Sequence, residues 1–222
     1  MKVLIDRSIE RNSITHKTVL VPQKIKWGPR EQILEVAQRD PFPPRNDEIF
    51  RSEQLPYLAA ICNAAKLGKL EFYTSDELRM EGIRQKGPDD GYMGIDLLRG
   101  VPIRSVRSPL VRTIIFGGFM SIGVTEEEQM EFFQSIRDSR FLQITNAVGE
   151  KHIDDAYHLW TAEEAKLDAF LTMDRKFCNV TNQKRKIPVS HVPVLTPKQL
   201  CQQMQLEPID IEKLAEATNP YW

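Results

Sequence analysis

Short apolar runs alternate with amphipathic stretches along this chain, and two of the runs stop on a carboxylate. Val3-Leu4-Ile5 ends on Asp6, and Ala169-Phe170-Leu171-Thr172-Met173 ends on Asp174. Runs this short and this apolar predict strands buried on both faces of a sheet. Lys69 to Thr74, Phe141 to Thr145 and Val192 to Leu195 read as further strands. Between them lie helical patterns. Leu55 to Leu67 puts Leu58, Ile61, Cys62 and Ala65 on one face, with Gly68 as the stop. Thr74 or Ser75 caps a helix running to about Gln85. Thr125 caps another, with Glu126, Glu127 and Glu128 in its first turn and Met130, Phe133 and Ile136 inward. Asp155 to Leu167 carries Ala156, Leu159, Trp160 and Leu167 on one face, and Thr196-Pro197 opens the helix that ends near Met204.

Strands separated by helices predict a three-layer α/β/α fold around a central parallel sheet. Two stretches interrupt that rhythm. Residues 10–50 hold a small hairpin (Thr18 to Pro22 and Lys24 to Trp27), and then a proline-broken surface loop over 40–47. Residues 86–123 hold a turn at Gly87 to Gly91 and a buried or strand-like Thr113-Ile114-Ile115-Phe116. The organisation expected is one domain over 1–205 with these two insertions, and a tail over 206–222 with an amphipathic stretch around Ile211 and Leu214.

The chain has 222 residues and a net charge of −1, so total charge does not announce a nucleic-acid partner. Its distribution says more. No acid lies between Leu97 and Thr125, where Arg99, Arg104, Arg107 and Arg112 stand, nor from Arg175 to Leu206. Such stripes attract phosphates, although solvated surface explains each equally well. Cys62, Cys178 and Cys201 form no CxxC pair, which argues for a reducing compartment and against a structural zinc site. The expected location is the cytoplasm, with no membrane partner.

The acids carry the candidate chemistry. Ligands of an open parallel sheet sit beyond the carboxyl ends of its strands, where Asp6 and Asp174 fall. Glu77 has an ordinary explanation as part of a capping box over Thr74-Ser75-Asp76-Glu77. Glu81 lies on the inward stripe with Leu78, where a carboxylate needs a partner. Asp154 and Asp155 open a helix. One of them suffices as cap, which leaves the other free. His158, inside that helix, reads as packing or rim, and His152 as a loop residue. Clustered carboxylates bind hard cations such as Mg²⁺ or Mn²⁺.

At this point the chain resembles the PIN domain family of metal-dependent ribonucleases. The resemblance rests on Ile5-Asp6-Arg7-Ser8, on Ser75 spaced to Glu81, on Asp155-Ala156 leading a helix, and on Leu171-Thr172-Met173-Asp174-Arg175-Lys176-Phe177. It implies a PIN-like fold and an endoribonuclease acting on single-stranded RNA by metal-assisted hydrolysis. It implies Asp6, Glu81, Asp155 and Asp174 as metal ligands, and leaves open whether Asp154 or Glu77 takes the place of Asp155 or Glu81. Ser8 and Thr172 would orient a carboxylate or water, and Arg175, Lys176, Arg104 and Arg107 would hold substrate. A homodimer and an inhibitory protein partner are further expectations of the family. A structure-specific DNA nuclease and a non-catalytic RNA- or protein-binding module are the alternatives. A haloacid-dehalogenase-type phosphatase is rejected, because Ser8 stands where that family needs a second acid.

Overall fold

The computed structural model describes residues 1–27, 30–41, 48–84, 95–110, 125–183 and 188–217. The turn at 87–91, the segment 113–116, Arg112 and most of the loop at 40–47 lie outside these residues. The chain runs β1 (Lys2–Ile5), α1 (Arg7–Ser13), β2 (Ile14–Trp27), β3 (Arg30–Pro41), α2 (Glu48–Lys66), β4 (Glu71–Ser75), α3 (Asp76–Arg84), β5 (Ile95–Asp96) and β6 (Ile103–Val106). It continues through α4 (Glu126–Ser135), α5 (Ser139–Val148), α6 (Ile153–Glu164), β7 (Ala169–Leu171), α7 (Arg175–Thr181), β8 (Val194–Leu195), α8 (Pro197–Gln203) and α9 (Ile211–Ala217).

Five strands form one parallel sheet in the order β6-β4-β1-β7-β8, with helices packed on it. The pleat decides what each side buries. Val3 and Ile5 of β1 and Leu171 of β7 face a cluster with Leu58 and Ile61 of α2 and Leu200 of α8. Leu4 and Phe170 alternate to the other side, against Phe133 of α4, Phe141 and Ile144 of α5, Leu159 of α6 and Phe177 of α7. Strand order reverses beside β1: the chain builds outward through β4 and β6, then returns to lay β7 on β1's other edge. That switch point is where a parallel sheet opens a crevice.

Several expectations change. Phe141 to Thr145 is helix, not strand. Asp138 caps α5 by accepting from the backbone of Arg140 and Phe141, and Gly149 closes it at φ +96°. Phe141, Ile144, Thr145 and Val148 then share the buried face at helical spacing. Met130 is 42% exposed, because the inward turn of α4 is Gln129 and Phe133. The capping box at Thr125 involves Glu128 as its acid. Neither Asp154 nor Asp155 is the N-cap of α6, which begins two residues earlier than expected, at Ile153, with His152 in that position. The 86–123 stretch is not wholly an insertion, since β6 within it is the edge strand of the main sheet. The hairpin expected between Thr18 to Pro22 and Lys24 to Trp27 does not form: both stretches lie on the single strand β2, which pairs antiparallel with β3 from His16↔Pro41 to Trp27↔Arg30 as a long two-stranded arm, and β5 joins β2 only at the base, near Ile14 and His16.

Candidate metal centre

Asp6 follows β1 at the switch point, and its backbone N–H donates to Leu171 O of β7 at 2.9 Å. The residue sits at the N-cap of α1, yet its side chain makes no cap bond. Its Oδ2 instead accepts from Ser8 Oγ at 2.5 Å and from Thr172 Oγ1 at 2.6 Å. Both hydroxyls are themselves aimed. Ser8 Oγ accepts from the Met173 N–H at 2.8 Å, and Thr172 Oγ1 accepts from the Asp174 N–H at 3.0 Å. A hydroxyl has one proton, so both protons are committed to Asp6 Oδ2 and the carboxylate is locked in orientation. Oδ1 receives no hydrogen bond among the described residues. Asp6 is 7% exposed, and Thr172 is fully buried.

Asp174 follows β7 and caps α7 through Oδ1, accepting from Lys176 N at 2.7 Å and Phe177 N at 3.0 Å. Asp155 lies in the first turn of α6, with Oδ2 3.1 Å from His152 Nδ1. Asp154 accepts the Asp155 N–H at 2.9 Å. Glu81, on α3, has Oε1 3.3 Å from Nε2 of His158, which is 1% exposed. Ser75 caps α3 through the Leu78 N–H at 3.3 Å, and that displaces the expected box with Thr74. Glu77 is buried and accepts from Gln129 Nε2 at 2.8 Å. Glu81, not Glu77, therefore faces α6 at the site.

The carboxylates feel one another. Burial pushes the Asp155 carboxyl well above its usual range, and the charges of Asp154, Asp6 and Asp174 push it the same way against His158. Burial also raises Asp6. Its hydrogen bonds from Ser8 and Thr172 and the charge of His158 pull it down, while Glu81 pushes it up again. Burial alone would lower the His158 imidazole, but Glu81, Asp6 and Asp154 together outweigh that and raise it to about 9. His158 is the site residue that the sequence pattern presents as packing. The overlooked signal is spacing: it stands three residues from Asp155 and four from Asp154, on the same side of α6.

The basic residues divide. Arg175 and Lys176 are exposed in the first turn of α7, beside Asp174. Arg107 is exposed just past the carboxyl end of β6, on the same sheet edge as the acids. Arg104 lies within β6 and pairs with Glu71 Oε2 at 2.7 Å. Glu71 also accepts from the Tyr73 hydroxyl at 2.6 Å, so Arg104 already has a partner away from the acids. No helix among the described residues is long and apolar enough to cross a membrane.

Asp6, Glu81, Asp155 and Asp174 all offer carboxylate oxygen, the donor class hard cations prefer. Among the described residues, however, no group of three His, Cys, Asp or Glu converges closely enough to hold an ion by itself. A comparison with protein-family models, with curated proteins and with solved structures found no match to this chain. What stands is an α/β protein with a field of coupled carboxylates at the carboxyl edge of its parallel sheet.

Proposed function

We propose that this protein is a Mg²⁺- or Mn²⁺-dependent phosphodiesterase of the PIN-like type, an endoribonuclease that cuts single-stranded RNA. The observation that carries the reading is Asp6. A buried N-cap aspartate that gives up its cap bond, and is oriented instead by two hydroxyls, serves something other than the helix. Around it, Asp155, Asp174 and Glu81 contribute negative charge to one region. A cation bound there would supply Lewis acidity toward a phosphodiester. The chain's own part is to fix Asp6, to present Asp155 and Asp174 beside it, and to draw the RNA backbone in through Arg175, Lys176 and Arg107.

The test is incubation of the full chain with labelled single-stranded RNA and DNA of the same sequence, in Mn²⁺ and in EDTA. Internal cuts in RNA alone, lost in EDTA and in Asp155→Asn, are expected. Equal or preferential cutting of DNA moves the assignment to a DNA nuclease. The second reading is a non-catalytic RNA- or protein-binding module, favoured by the pairing of Asp155 and Glu81 with histidines. Metal-independent RNA retention with no cleavage establishes it.

The orienting hydroxyls make a separate prediction. Thr172→Val leaves the Asp174 N–H without its acceptor and frees one side of Asp6, and Ser8→Ala does the same for the Met173 N–H. Each is expected to weaken Mn²⁺ binding about 10- to 100-fold, with about 1–2 kcal/mol of lost stability. Calorimetric titration with Mn²⁺ checks it, and wild-type affinity in both variants would remove them from the site.

A further inference from the structure

His152 has no part in the proposed chemistry, yet it is only 8% exposed and its ring stands beside Asp155. A turn of 3₁₀ helix over Glu150–His152 leads into α6 and leaves His152 at the N-cap position. The imidazole makes no cap bond there, and histidine is not among the residues that cap helices well. Its Nδ1 lies instead 3.1 Å from Asp155 Oδ2, three residues on. The ring leans on Phe177 of α7, with centroids 5.8 Å apart. Nε2 is buried and has no hydrogen-bond partner among the described residues. A buried polar atom left in that state costs about 1–3 kcal/mol. An apolar side chain would fill the same space against Phe177 without that cost. What the imidazole adds is its contact with Asp155. A carboxylate that holds a cation has no proton to give, so Nδ1 carries the proton and donates.

The aspartates of the site share a pattern. Asp6 is held through Oδ2 by Ser8 and Thr172. Asp174 is held through Oδ1 by the N–H groups of Lys176 and Phe177. Asp155 is held through Oδ2 by His152. In each, the other oxygen accepts no hydrogen bond among the described residues. Phe177 joins two of these devices, since its N–H caps onto Asp174 and its ring supports His152.

We propose that His152 is the positioning residue of Asp155: its Nδ1–H fixes Oδ2 and leaves Oδ1 to a divalent cation. The inference rests on the metal-dependent reading of the site. It has a definite sign. Removing a group that orients a metal ligand weakens metal binding about 10- to 100-fold. Removing a histidine that served only as a counter-charge would do the reverse, because the cation would then be the carboxylates' one source of positive charge.

The experiment is calorimetric titration of the full chain with Mn²⁺, beside melting curves in EDTA. His152→Leu fills the space against Phe177 and has no donor. His152→Asn puts an amide N–H where Nδ1 stands, and His152→Gln puts it further out, where Nε2 stands. The Leu and Gln variants are expected to bind Mn²⁺ about 10- to 100-fold more weakly, and the Asn variant to keep the wild-type affinity. RNA cleavage by His152→Leu should fall at limiting Mn²⁺ and recover at saturating Mn²⁺. Asn and Gln are both polar and neither carries charge, so loss of the imidazole's charge alone would move them together. If His152→Leu does not fold, the comparison of Asn with Gln decides. Wild-type or tighter affinity in His152→Leu, or an Asn variant no better than the Gln variant, overturns the proposal and leaves the metal-dependent reading standing. A wild type that binds no Mn²⁺ overturns both.

Discussion

Asp6→Asn is expected to make the metal-free protein more stable and to abolish the RNA cleavage proposed for it. The amide can still accept from Ser8 Oγ and Thr172 Oγ1 through its oxygen, so the local geometry survives. What disappears is a buried negative charge that Glu81 opposes directly and that pushes up the Asp155 carboxyl. Relief of desolvation and like-charge repulsion raises metal-free stability by roughly 1–3 kcal/mol. In wild type, millimolar Mn²⁺ should raise the melting temperature by mass action, and in Asp6→Asn it should not. Cleavage of RNA should fall on the order of 10³-fold, equivalent to about 4 kcal/mol of barrier. Melting curves with and without Mn²⁺ beside a cleavage assay check all three. A variant that is less stable than wild type without metal, yet still responds to Mn²⁺, removes Asp6 from the centre.

Stability gained by deleting a side chain is the signature of a group kept for function. The contrast with Asp174 makes the point. Asp174 also ends a strand region and also stands at an N-cap, but it performs the cap with two backbone bonds. Its neutralisation removes repulsion and weakens a helix start at once, and a cap is worth about 1 kcal/mol. Asp6 has no such second duty.

The buried strands and their acidic ends were legible because a short apolar run bounded by polar residues has few other readings. Val3 to Ile5 and Ala169 to Leu171 are strands in register, Val3 with Ala169 and Ile5 with Leu171. Phe141 to Thr145 misled because five residues do not separate a period of 2 from a period of 3.6. Val148, one turn further on, completes the helical face. The edge strand β6 was hidden by Pro102 before it and by a polar pair, Arg104 and Ser105, within it. An edge strand needs only part of the apolar content of a central one. At the site, the acids could be read from where the strands stop. The resemblance also names Ser8 and Thr172, and both hydroxyls do hold Asp6; the pairing of His158 with Glu81, which closes across 77 positions, has no such local trace.

His158 makes the last prediction. In EDTA, the melting temperature should fall as pH rises from about 7 to about 9.5, and Mg²⁺ should flatten that fall. The imidazole is raised from 6.5 to about 9 in the folded state by the carboxylates around it: Glu81 in contact, with Asp6 and Asp154 close by. A group raised on folding binds its proton more tightly when folded. Its stabilisation is complete below the unfolded value and is lost as pH climbs through the folded one. Asp6 and Asp155 are raised too, so their contributions have the same sign, greatest in acid and lost as the carboxyls ionise. One proton contributes at most about 1.4 kcal/mol per pH unit, and about 1 kcal/mol moves the midpoint of a chain this size by ~2–4 °C. A total drop on the order of 5–10 °C is expected. His158→Gln keeps a donor for Glu81 but removes the charge. It should lower the midpoint at pH 7, abolish most of the slope above pH 7, and enlarge the stabilisation by Mg²⁺, since the cation then offsets carboxylates that no imidazolium offsets. A flat wild-type profile across this window, or a variant whose slope matches it, shows that the buried imidazole is not the charge that holds these acids together.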